Sequence, residues 1–121
     1  MTVLDASAIL AWLLGEPGAD AVEEALTQGA VCSAANWSEV AQKSIRAGQS
    51  WRGPRALLLS YDLGVEAVTA EDAEWAARRW RQGEGLSLAD RLCLALAARL
   101  GTETLTADTQ WGTSPGVRQI R

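Results

Sequence analysis

The sequence predicts an α/β fold, a parallel sheet with helices on both faces. Three observations carry it. Short apolar runs alternate with longer segments of helical period, the runs are too short and too uniformly apolar for half-exposed antiparallel strands, and Gly or Pro closes most helical segments. At 121 residues, 48% hydrophobic and 21% charged, the chain suits one packed core and is short for two, so residues 1–121 are expected to form one domain.

The elements follow in order. Residues 2–4 are a β-type run that ends at Asp5, and the apolar helix after it is stopped by Gly15 and Pro17. Residues 20–28 form a short helix with Val22 and Leu26 on one face. A strand at 30–32 leads to a helix whose apolar positions, Trp37, Val40, Ala41, Ser44 and Ile45, keep the spacing of one buried stripe, and Gly48 ends it. Pro54 is tolerated in the first turn of the next helix, where Leu57, Leu58 and Leu59 suggest a third layer or an interface. "VEAV" after Gly64 reads as a strand. Thr69 then caps a helix with acids in its first turn and arginines in its last, stopped by Gly83. Ser87 and Asp90 have the spacing of a capping box that opens an apolar helix. A strand at 103–106, a loop through "TQWGTSPG" and a strand at 117–120 complete the chain.

Composition removes several classes of chemistry. With no histidine, Ser-His-Asp triads, Cys-His pairs, His-based acid/base cleavage of RNA and most zinc sites are excluded. Cys32 and Cys93 lack C-x-x-C spacing and read as buried thiols. Fifteen acids against eleven bases give a net charge of -4, the wrong sign for a simple electrostatic binder of nucleic acid. No apolar run reaches the roughly 18 residues of a spanning helix, and no basic flank and apolar core mark a signal peptide. No membrane association and a cytoplasmic location are the expectation.

The topology gives distant acids a common address. In a parallel sheet with right-handed crossovers the C-terminal strand ends lie on one edge. Asp5 ends the first strand and Asp108 follows the fourth. Glu39 lies early in the helix after the second strand, and Asp90 in the first turn of the helix that leads back into the fourth. Each has a local alternative: Asp5 as a helix cap, Asp90 in its capping box, and Asp108 in an Asx turn or cap. Glu39 could sit in a box with Asn36 or pair with Lys43 for about 0.3 kcal/mol. Taken together, carboxylates at about 4 Å repel by on the order of 4 kcal/mol per pair at an effective dielectric near 20. Helix N-termini offset part of that, and a divalent cation would remove the rest. Oxygen donors without histidine or paired thiols point to Mg²⁺ or Mn²⁺ and to phosphodiester hydrolysis. The hydroxyls of Ser7 and Thr106 stand where they could orient these acids, or be ordinary strand-end and cap hydroxyls.

Through "VLDASA", "NWSEVAQ", "LSLADRLCLALA" and "TLTADTQW" the chain resembles, over nearly its whole length, the PIN-domain ribonucleases and specifically the VapC-type toxins of type II toxin-antitoxin pairs. The order and spacing of these motifs are more specific than any one of them. The resemblance implies a PIN-like sheet of about five strands in the order 3-2-1-4-5. It also implies an acidic quartet at Asp5, Glu39, Asp90 and Asp108 that binds Mg²⁺ or Mn²⁺ and cuts RNA to 3′-hydroxyl and 5′-phosphate ends. Further implications are a homodimer, a VapB-type antitoxin that blocks the site, and tRNA or ribosomal RNA as substrate. In the resulting reading Asp5, Asp90 and Asp108 hold the metal, and Glu39 completes its coordination or positions and deprotonates the attacking water.

Arg78, Arg79 and Arg81 around Trp80, together with Arg91, could form a basic wall for RNA phosphates, or simply the solvated, dipole-matched end of a helix. With six tryptophans and no phenylalanine, most tryptophans must serve the core, and Trp111, just past Asp108, is expected near the site. Two other functions compete. A haloacid-dehalogenase-like phosphatase needs a second Asp where Ser7 stands, and a receiver domain needs paired acids on the first strand and a late lysine, whereas only Lys43 is present. A non-catalytic PIN-fold binding module is the third possibility, distinguished by a failure to cut RNA.

Overall fold

A computed structural model describes residues 1–121. The strands are β1 (Thr2–Leu4), β2 (Ala30–Ser33), β3 (Gly64–Glu66), β4 (Thr104–Thr106) and β5 (Val117–Gln119). The helices are α1 (Ala6–Leu13), α2 (Ala19–Gln28), α3 (Ala34–Arg46), α4 (Arg52–Ser60), α5 (Ala70–Arg79) and α6 (Leu88–Leu100). The strands form one sheet in the order β3-β2-β1-β4-β5, parallel throughout. Register places Val3 beside both Val31 and Thr104, and Leu4 beside Leu105.

Two apolar layers sandwich the sheet because successive strand side chains point to opposite faces. Leu4, Ala30, Cys32 and Leu105 pack with Ile9, Val22, Leu26, Val40 and Leu58 from α1 to α4. Val3 and Val31 face the other way, against Cys93, Leu96 and Ala97 of α6 and against Trp111. Helix α5 then packs on α6, where the buried carboxylate of Asp72 pairs with Arg99.

Local chemistry fixes the helix ends. Ser87 and Thr69 open α6 and α5 through reciprocal capping boxes with Asp90 and Asp72. Gly101, in the left-handed region at φ 65°, lets the Thr102 N–H return to the Ala97 carbonyl and turns the chain into β4. Helix α5 ends at Arg79, before the expected stop at Gly83. Leu58 is buried, whereas Leu57 and Leu59 are exposed, so only one of the three leucines serves the core. Ile45, expected on the buried stripe of α3, is 62% exposed: the helical period identifies a face, and the layer beneath this last turn does not extend to its edge. No helix is long and apolar enough to cross a membrane.

Candidate active site

The chain leaves central β1 toward β2 on one side and returns much later to β4 on the other. Such a switch in an open parallel sheet leaves a crevice at the C-terminal strand ends. Asp5 is the first residue after β1, and Ala107 and Asp108 follow β4, so both chain exits open on this crevice.

Asp5 is only 3% exposed. Its Oδ1 accepts from the Ala8 N–H at 2.8 Å, which caps α1, and from the Ser7 hydroxyl at 2.7 Å. Its Oδ2 lies 2.9 Å from the same hydroxyl and accepts from Thr106 Oγ1 at 2.5 Å. Backbone N–H groups of the β4 exit orient the two hydroxyls: Ala107 donates to Ser7 Oγ and Asp108 to Thr106 Oγ1. Despite these donors, burial pushes the Asp5 carboxyl up to about 6; the bonds from Thr106, Ala8 and Ser7 oppose the rise, and the charge of Asp90 adds to it. No lysine or arginine forms an ion pair with it.

Asp90 approaches from the start of α6. Cys93, one turn further on, has its thiol pushed well up by burial first and then by the charges of both Asp5 and Asp90. The other acids are each captured locally by one oxygen. Asp90 Oδ2 accepts from the Ser87 N–H at 2.9 Å, and Asp108 Oδ1 from the Gln110 N–H at 2.9 Å. Glu39 Oε1 accepts from Asn36 Nδ2 at 2.8 Å. One oxygen of each carboxylate stays without a hydrogen bond.

As these side chains stand, no three acidic or thiol groups gather closely enough to hold a metal ion. The expected tight quartet is therefore open, and the reason is physical. Each acid follows a strand or begins a helix, where a free N–H or amide two or three residues away is nearer than any other carboxylate. Asn36 does not cap α3 as its spacing with Glu39 had suggested; Ser33 does, accepting from the Ala35 N–H. Asn36 lies in the first helical turn, 1% exposed, with its Oδ1 unpartnered. Its spacing of three from Glu39 was the only sequence signal that it would hold that acid.

The remaining candidates separate. Arg79 makes a bidentate pair with Glu84, and Arg91 donates to the Ala76 carbonyl, while Arg78 and Arg81 are exposed. Trp111 follows the Asp108 turn, its N–H donating to the Asp108 carbonyl, and its ring serves the core. It is buried under α6 with Val3 and Leu96, because the 3₁₀ turn Thr109–Trp111 carries it back onto the sheet.

A hard divalent cation fits the donor chemistry here: the side-chain donors are carboxylate and hydroxyl oxygens, and the buried Asp5 carboxylate feels the charge of Asp90 and has no ion pair of its own. Asp5 and Asp90 would hold the ion, with Asp108 on the neighbouring strand exit.

A family described as PIN domain matches residues 2–113. No curated protein sequence matches the chain. Among solved structures, a toxin-antitoxin complex from Klebsiella pneumoniae is similar at 24% identity and TM-score 0.80, covering 100% of this chain and 98% of that one. The Mycobacterium tuberculosis toxin VapC20, titled as cleaving the sarcin-ricin loop, is similar at 20% identity and TM-score 0.70 over 88% of each chain. The DNA-bound VapBC of Salmonella typhimurium is similar at 16% identity and TM-score 0.70 over 99% of this chain and 98% of that one. At these identities the solved structures speak for the fold, and the match over residues 2–113 speaks for the family: the chain belongs to the PIN-domain proteins.

Proposed function

We propose that the protein is a VapC-type toxin, a divalent-metal-dependent endoribonuclease that acts on structured cellular RNA of the tRNA or ribosomal class. The observation that carries this is Asp5: a buried carboxylate at the sheet's switch point, held by hydroxyls, pushed up by burial and by the charge of Asp90, and without an ion pair. Asp5, Asp90 and Asp108 are the metal-binding acids of this reading. When bound, Mg²⁺ or Mn²⁺ would neutralise charge on the scissile phosphate and lower the pKa of an attacking water.

The chain's own residues do the rest. Ser7 and Thr106 fix the rotamer of Asp5, and the Ala8 N–H holds its Oδ1. Asn36 anchors Glu39 through Oε1, which leaves Oε2 to accept the proton of the attacking water. Hydrolysis then leaves a 5′-phosphate and a 3′-hydroxyl. A homodimer working in the cytoplasm and silenced by a VapB-type antitoxin completes the reading; the similarity to the Klebsiella toxin-antitoxin complex and the Salmonella VapBC supports that partner.

The test is cleavage of tRNA and ribosomal RNA with Mg²⁺ or Mn²⁺ after any co-purifying partner has been removed. Cleavage is expected to stop with EDTA and with Asp5→Asn. Activity indifferent to both belongs to a contaminant, and an inert wild type returns the protein to the class of PIN-fold binding modules.

A further inference from the structure

Acids that attract a metal repel the phosphates around the scissile one, and a chain of net charge -4 has few cations with which to compensate. Several are already committed. Arg79 pairs with Glu84, Arg99 with Asp72, Arg118 with Glu103 and Arg121 with Glu16. Lys43 differs from these: it is the only lysine, it is exposed, and its ammonium makes neither an ion pair nor a hydrogen bond. It lies one turn past Glu39 on the same side of α3, about 6 Å along the axis at roughly 1.5 Å per residue. Glu39, which this spacing would offer as a partner, is held by Asn36 instead.

Lys43 and Ser7, a hydroxyl partner of Asp5, line one groove. A cleft of about 370 Å³ runs between α1 and α3, lined by Ser7, Leu10 and Leu14 on one side, Lys43 and Ser44 on the other, and also by the Arg121–Glu16 ion pair, which leaves Lys43 as its unpaired charge. The Ser7 hydroxyl in that lining is the one that bonds both oxygens of Asp5. Beyond Lys43, Arg46 extends the positive edge into a shallower hollow. None of the four candidate acids lines the groove itself, so Ser7 is its link to Asp5. The cavity of about 250 Å³ that includes Arg79 is walled by Trp111 and Leu94 on the other face of the sheet, and neither Ser7 nor Thr106 lines it.

We propose that the groove between α1 and α3 carries the RNA backbone next to the scissile phosphate, with Lys43 as its phosphate anchor. The inference rests on the nuclease reading above and adds the direction in which the strand leaves the acids. Leu10 and Leu14 give the groove an apolar wall for a ribose or base face, while Lys43 supplies the charge. A cation in the last turn of a helix also complements the helix dipole, but that role alone would alter thermal stability and leave substrate affinity unmoved.

Steady-state cleavage of unfractionated tRNA and ribosomal RNA over a range of salt tests the assignment. Lys43→Glu is expected to raise KM by about tenfold or more with kcat within about threefold, and Lys43→Arg to bring KM back to within about twofold of wild type. Lys43→Ala should reduce the slope of log kcat/KM against log salt by about 0.7. Arg78→Glu, at the rival basic end of α5, should move KM less than Lys43→Glu. The groove assignment is overturned if Lys43→Glu leaves KM and salt slope unchanged, or if Arg78→Glu has the larger effect. It is equally overturned if Lys43→Glu keeps its RNA affinity but loses a protein partner, which would give the groove to that partner. A wild type that cuts neither RNA removes the nuclease reading itself, whereas a wild type that cuts while Lys43→Glu behaves identically removes only the groove.

Discussion

Two aspartates in this molecule are almost equally hidden, Asp5 at 3% and Asp72 at 4% exposure, and their surroundings treat them in opposite ways. Burial alone would raise Asp72, yet the Arg99 guanidinium, bonded at 3.1 and 3.2 Å, and the Thr69 N–H and hydroxyl hold it below the usual carboxylate range. Asp5 also accepts several hydrogen bonds, but burial outweighs them and Asp90 adds to the rise. Hydrogen bonds to neutral donors do not replace a counter-charge in a dry site. Asp72 is therefore a joint between α5 and α6, complete in itself. Asp5 is a place where an added positive charge would gain the most.

Substituting the two sites should separate these roles, and the largest expected difference is in rate. Asp5→Asn should lower RNA cleavage at least about 10³-fold, roughly 4 kcal/mol of barrier, whereas Arg99→Met should leave the rate per folded molecule within about twofold. Single-turnover cleavage at matched folded concentration measures both; equal losses would erase the distinction.

Next comes stability in EDTA. Because the folded carboxyl of Asp5 sits at about 6 against 3.8 in the unfolded chain, the folded state binds the extra proton. The resulting stabilisation is complete below 3.8 and is lost as pH rises through about 6. Asp5→Asn should thus be more stable than wild type by about 3 kcal/mol at pH 8, with the gain shrinking toward pH 4 in urea titrations. Asp72 runs the other way. Its lowered carboxyl contributes stability above the unfolded value of 3.8, and this is lost as pH falls through the lower folded value. Arg99→Met should lower stability at neutral pH, by less than a buried pair would because the guanidinium is about one-third exposed, and the loss should fade as pH falls. The smallest effect is expected at Asn36. Asn36→Ala frees Glu39 and should lower kcat about tenfold with KM unchanged. A fall in stability with no fall in kcat would make Asn36 a packing residue only.

The sequence displayed the sheet because parallel strands covered on both faces are short apolar runs, and it displayed the caps at Thr69 and Ser87 because a capping box is local. The strand order came only with the family resemblance. The edge shared by Asp5, Asp90 and Asp108 followed from topology, but their side-chain directions did not. Whether Asp108 turns to another acid or to the Gln110 N–H depends on atoms a few ångströms away, which no spacing encodes. Trp111 shows the same limit. Its place after Asp108 suggests the crevice, while its large apolar surface returns it to the layer beneath α6. At the start of α3 the sequence suggested a box of Asn36 with Glu39, and the strand end supplied Ser33 as the cap instead.

The two thiols lie in opposite layers of the sandwich, Cys32 among the helices α1 to α4 and Cys93 beneath α6, and burial pushes Cys32 up to about 12. Neither is in a disulfide, and neither is accessible while its own layer remains closed. A thiol-reactive probe therefore has one clock on each side of the sheet: labelling rates at the two cysteines would time the opening of the two halves separately, in the unaltered protein.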